Sequence, residues 1–84
     1  MTERSIEGQL TQYIVAELLH HETLDLAPDD ELLLDGIIDS IGATRLVSFV
    51  EDAWAIDIPA QDVTVENFGS VRQIATYVRS IQDG

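Results

Sequence analysis

The 84 residues include no cysteine and no lysine, only two prolines, and few aromatic side chains. Without cysteine there can be no disulfide, no thiolate metal site and no thiol nucleophile of the chain's own. Any thiol chemistry has to be imported. Without lysine, the basic complement is four arginines against sixteen Asp and Glu, a formal net charge of −12. Nucleic-acid affinity comes from neutralising phosphates with Lys and Arg, so nucleic acid is excluded as a partner, and anionic lipid would repel the chain. No apolar run approaches the length of a membrane span, and Met1-Thr2-Glu3-Arg4-Ser5 is not an apolar targeting segment. The expectation is a cytoplasmic protein without a membrane partner.

A hydrophobic fraction of 45% is enough for a core, and the length fits one small domain over residues 1–84. That leaves no room for a deep active site with its own supporting shell, so a module on which other proteins act is expected, with no catalytic residues. The acidic surface suits basic protein partners approached by electrostatic steering, and serves equally to keep the protein soluble.

Helical periodicity appears in three segments. The first spans about Glu3 to His20, with Ile6, Leu10, Tyr13, Ile14 and Leu18 on one face and Thr2 or Ser5 as its cap. The second begins at Ser40 behind the capping residue Asp39 and runs to about Ala55. The third spans Val71 to about Ile81, where Ser70 and Gln73 have capping-box spacing and Val71, Ile74, Ala75, Val78 and Ile81 form a stripe. A short helical turn is expected near Val63 to Phe68. The connection from His21 to Asp39 carries Leu24, Leu26, Leu32, Leu33, Leu34, Ile37 and Ile38. A loop this apolar should be pinned across the helix ends, turning at Asp35-Gly36. The pattern reads as an all-α bundle.

At 100° per residue the second helix separates into a core face of Leu46, Phe49, Val50, Ala53 and Trp54, edged by Gly42 and Ala43, and a polar face of Thr44, Arg45, Ser48, Glu51 and Asp52. Ile41 falls on the polar side, beside Ser40, where a first-turn residue can pack against the incoming loop; an exposed contact for a partner is the reading preferred. Val47 sits at the border. A serine opening a helix is commonly only a cap, yet free N–H groups and the helix dipole also favour a phosphate there. No neighbouring residue supplies a base, so a nucleophilic Ser40 would need machinery from another protein.

Two other chemistries fail on spacing. A calcium loop with Gly36 at its sixth position puts Leu33 and Gly42 where acidic ligands are required, so no metal site is expected. A nucleophile elbow needs glycine where Ile38 stands. His20 and His21 are adjacent at the first helix's end and do not face one another.

Leu33-Leu34-Asp35-Gly36-Ile37-Ile38-Asp39-Ser40-Ile41-Gly42 resembles the attachment segment of the acyl carrier and peptidyl carrier family, with Ile41 in place of leucine in the Asp-Ser-Leu motif. The exit Ile56-Asp57-Ile58-Pro59, the Val63 to Phe68 segment and the Ser70-Val71 helix start also fall where that family has them, so the resemblance covers nearly the whole chain. It implies a four-helix acyl-carrier-like bundle with a long ordered loop between helices 1 and 2 and a short third helix. It also implies 4'-phosphopantetheine on Ser40, flanked by Asp39 and Ile41 and delivered from coenzyme A by a phosphopantetheinyl transferase. Thioester cargo would come from an adenylating enzyme or acyltransferase and pass to tailoring, condensing or transfer enzymes.

On this resemblance Ile41, Thr44, Arg45, Ser48, Glu51 and Asp52 form the docking face, and Val47, Ile58, Val63 and Phe68 line a cargo groove. Gly42, Arg45 and Ser48 dilute the acids found along this helix in fatty-acid carriers. The Ser-Ile-Gly run is similar to that of stand-alone aminoacyl carriers. A discrete, monomeric carrier in a polyketide, nonribosomal peptide or related pathway is expected, and the alternative is an unmodified acidic helical interaction module.

Overall fold

Ser5 opens the first helix: its backbone is extended and its side chain accepts the Gly8 N–H at 2.9 Å. The computed structural model describes residues 5–19 and 26–83. Among them, helix α1 spans Ile6–Tyr13 and continues as a π-helical turn over Ile14–Leu18, closed by Leu19 N–H donating to the Ile14 carbonyl at 2.9 Å. Helix α2 spans Ser40–Trp54, a 3-10 turn covers Ala60–Asp62, short α3 spans Val65–Phe68, and α4 spans Val71–Asp83. No strand occurs among the described residues. This is the all-α, four-helix architecture expected from the sequence. Glu3, Thr2, His20, His21 and Leu24 lie outside the described residues.

The core is assembled from one stripe of each long helix. Leu10 and Ile14 from α1 and its π turn, Leu46 and Val50 from α2, Phe68 from α3, and Val71, Ile74, Ala75 and Val78 from α4 are all buried. Ile6, Tyr13, Leu18 and Ile81 are half-buried at the margins. Tyr13 stacks on Phe49 with ring centroids 4.1 Å apart, and Trp54 meets Phe49 edge-on at 5.9 Å, closing the α1–α2 side. Ala53, assigned to the core face by periodicity, is exposed. The Tyr13–Phe49 stack ends the covered surface there, and Ala53 lines an open groove beyond it.

The loop before α2 is fastened to the start of α4. Leu32 N–H donates to the Gly69 carbonyl at 2.7 Å and Arg72 N–H to the Pro28 carbonyl at 2.9 Å, while Ile38 N–H returns to the Leu32 carbonyl at 3.0 Å. Leu26, Leu32 and Ile38 are buried. Leu34 is the exception at 68% exposed. In a run of three consecutive leucines, Leu32 takes the core position, Leu33 is half-buried, and Leu34 turns to solvent. Gly36 carries the turn with φ of 71°, a backbone state that favours glycine. The Arg72–Asp29 pair, 3.2 Å apart with both side chains more than half exposed, contributes about 0–1 kcal/mol.

Helix α2 ends on Ala55 in the left-handed conformation, φ 53° and ψ 50°. An L-residue there costs about 1–2 kcal/mol. Glycine removes that cost but loosens the unfolded chain by about 0.4–1 kcal/mol. Ala55→Gly should therefore stabilise the domain by about 0.5–1 kcal/mol in urea unfolding.

Candidate functional site

Asp39 stands in extended conformation before α2, and its Oδ1 accepts the Gly42 N–H at 2.7 Å. Its carbonyl accepts the Ala43 N–H at 2.8 Å. Asp39 therefore does the capping, and Ser40 is the first helical residue, exposed, with a hydroxyl that makes no hydrogen bond among the described residues. The Ser40 carbonyl accepts the Thr44 hydroxyl at 3.0 Å. With Asp39 satisfying the third and fourth N–H groups, those of Ser40 and Ile41 remain open at the positive end of the helix, where an anion bonded to Ser40 is favoured. Asp39 Oδ1 is engaged by the Gly42 N–H, and Asp39 makes no hydrogen bond with the Ser40 hydroxyl. Among the described residues no group of His, Asp and Glu could hold a metal ion.

Ser40 lies on the rim of a cleft of about 880 Å³. One wall is α2, through Ser40, Ala43, Thr44, Val47, Ser48 and Glu51. The other is made by Leu33, Gly36 and Ile38 of the loop and by Ile58, Ala60 and Val63 of the α2–α3 connection. Three of the four groove residues read from the sequence are brought together here. Phe68 is not among them. It is 2% exposed and tilts against Tyr77 at 5.6 Å between ring centroids, in the core on the α4 side. The separate 3-10 turn and α3 account for the difference, because the break between them sends Val63 to the cleft and Phe68 inward.

Of the expected docking residues, Ile41 is 73% exposed, and Thr44, Arg45, Ser48 and Asp52 are exposed. Glu51 stands apart from them. It is half-buried, lines the cleft, and its Oε2 accepts the Ile58 N–H at 2.9 Å, tying the first part of the α2–α3 connection back onto α2. Sequence reading missed Leu34 and Val65, the latter 39% exposed at the start of α3. With Ile41 they are the exposed large apolar side chains among the described residues, Leu34 on the loop, Ile41 on α2 and Val65 on α3. The leucine run concealed Leu34, since nothing in its composition says which member faces out.

The α2–α3 connection is held by Tyr77, whose hydroxyl donates to Asp62 Oδ2 at 2.8 Å, and by Asn67 Nδ2 donating to the Asp62 carbonyl at 2.9 Å. Burial, then the bond to Asp62, then the charges of Asp62 and Glu51 push the Tyr77 hydroxyl up from 10.0 to about 12. The folded protein thus holds this proton more tightly than the unfolded chain. The resulting stability is full below about pH 10, falls as pH rises, and is lost through about pH 12. Urea unfolding should show a steeper loss of stability between about pH 10 and 12 in the parent than in Tyr77→Phe, which lacks the proton.

Comparison with known proteins bears on the same segment. A family model described as phosphopantetheine attachment site matches residues 10–78. A protein of Streptomyces coelicolor (strain ATCC BAA-471 / A3(2) / M145) named "Acyl carrier protein" is 29% identical over 76 residues, covering 90% of this chain and 80% of that protein.

Proposed function

Because the chain belongs to the phosphopantetheine-attachment family, we propose that it is a stand-alone acyl or aminoacyl carrier bearing 4'-phosphopantetheine on Ser40. The observation that carries this reading is the Ser40 hydroxyl: exposed, not engaged as a cap, at the open N-terminus of a 15-residue helix, and on the rim of the cleft. Ser40 gives up its proton and forms a phosphodiester as the pyrophosphate of coenzyme A breaks and adenosine 3',5'-bisphosphate leaves. The transferase supplies the base. When bound, the group supplies the thiol that the cysteine-free chain lacks, and cargo is held on it as a thioester.

The carrier performs no chemistry of its own in this reading. Tethering raises the cargo's effective concentration at each partner, the partners being the transferase, an adenylating enzyme or acyltransferase, and the enzymes that take up the load. Ile41 and the polar residues Thr44, Arg45, Ser48 and Asp52 form the docking face, extended by Leu34 and Val65. Within α2 the charged residues are Arg45, Glu51 and Asp52, and Glu51 is occupied in the cleft. That sparse charge supports a carrier of a polyketide, nonribosomal peptide or related pathway over one that docks chiefly through an acidic helix.

Intact-mass measurement after incubation with coenzyme A and a promiscuous transferase tests the reading, with a gain of one phosphopantetheine on the folded protein as the expected result. An unchanged mass would favour the alternative, an unmodified interaction module using the exposed apolar trio Leu34, Ile41 and Val65.

A further inference from the structure

The α2 wall of the cleft is one unbroken helical stripe. Ser40, the pair Ala43 and Thr44, the pair Val47 and Ser48, and Glu51 recur one helical turn apart, so they lie along one face. From Ser40 to Glu51 the helix rises about 16 Å. A groove that begins at the proposed attachment hydroxyl therefore ends at a carboxylate.

That carboxylate is fixed in place. The Ile58 N–H holds Oε2 at 2.9 Å, which uses one of the two oxygens and leaves Oε1 as an acceptor at the cleft wall. Asp62, between the lining residues Ala60 and Val63, adds negative charge at this end, and both carboxylates act on the nearby Tyr77 hydroxyl. Among the described residues no basic side chain lines the cleft. The arginine on the same helix, Arg45, is exposed and absent from the stripe. Apolar Val47, Ile58 and Val63 flank the approach, and partial exclusion of water there strengthens a charge-assisted hydrogen bond.

We infer that Glu51 makes this cleft selective for cargo with an amine next to the thioester, so that aminoacyl groups are held in it and neutral or anionic acyl groups are not. The inference rests on the carrier reading and deepens it by naming the cargo class. Glu51 Oε1 accepts a charge-assisted hydrogen bond from the ammonium N–H. A dicarboxylic acyl group would set its own charge against Glu51 and Asp62, and a plain acyl group would leave the pinned carboxylate without a new partner.

The test places three loads on Ser40 with a promiscuous transferase and synthetic alanyl-, propionyl- and malonyl-coenzyme A. Two readouts follow: the amide resonances of Glu51, Ile58 and Val63, and the rate of thioester cleavage by hydroxylamine. The Ile58 amide, bonded to Glu51, should move in the alanyl form and stay near its unloaded position in the other two. Glu51→Gln keeps an acceptor for Ile58 N–H while removing the charge. It should speed cleavage of the alanyl thioester about three- to tenfold and leave the propionyl thioester unchanged. Equal Ile58 shifts for the three loads, or an alanyl cleavage rate unmoved by Glu51→Gln, would overturn the selectivity while leaving the carrier reading intact. Failure of every load to attach would overturn both, and the mass of the treated protein distinguishes that case.

Discussion

Ser40→Ala should give a folded protein that takes up no phosphopantetheine at all. The separation of these two outcomes follows from the way α2 starts. Asp39, not Ser40, bonds the Gly42 N–H, so the alanine variant keeps its cap. Ser40 is exposed, and its hydroxyl makes no hydrogen bond among the described residues. Alanine is also the best residue for a helix interior, so stability should stay within about 0.5 kcal/mol of the parent. Circular dichroism and urea unfolding verify the fold, and intact mass after treatment with coenzyme A and transferase reads the modification. Thr44 and Ser48 carry hydroxyls on the same stripe, so a residual mass gain in Ser40→Ala would move the attachment along α2 and undo the assignment.

Gly69→Ala should cost about 1–3 kcal/mol, the range for forcing an extra carbon into filled space. The reason is close approach and not backbone conformation. A Cβ on Gly69 would run into the Val65 carbonyl oxygen and lie 2.7 Å from Gln73 Oε1. Gln73 can swing aside, but the Val65 carbonyl belongs to α3 itself. The Gly69 carbonyl meanwhile receives the Leu32 N–H, and Ser70 next to it caps α4 through the Gln73 N–H at 3.2 Å. Moving α3 away from α4 therefore strains the anchor of the long loop as well. For a domain of this size, whose total stability is about 5–10 kcal/mol, the loss is a large fraction. Urea unfolding measures it. A loss under about 0.5 kcal/mol would mean that α3 and α4 do not meet as closely as described.

The parts of this molecule that read easily from the sequence are those governed by one local rule. Asp39 before Ser40 is a cap by residue type, and its bond to Gly42 follows from that. Val71, Ile74, Ala75 and Val78 recur at the helical period, and they are buried. The features that escaped depend on what lies opposite. Glu51 looked like a surface acid on a polar face, yet the returning connection covers it and gives it the Ile58 N–H. Ala53 fell on the apolar face, but no neighbour reaches the end of that face. Phe68 and Val63 seemed to share a groove until the break between the 3-10 turn and α3 sent them to opposite sides. Ala55 in the left-handed region carries no signal in its side chain, and the π turn after Tyr13 involves ordinary helix formers. Periodicity assigns a residue to a face of its own helix, whereas burial requires the path of the rest of the chain.

The most direct measurement is a thiol count on the folded protein before and after treatment with coenzyme A and a transferase. The chain has no cysteine, so the background is zero and every thiol found is an added one. The account predicts none before treatment, one per chain afterwards, and none in Ser40→Ala carried through the same reaction. A treated parent protein that still shows no thiol, or a Ser40→Ala variant that gains one, would contradict it.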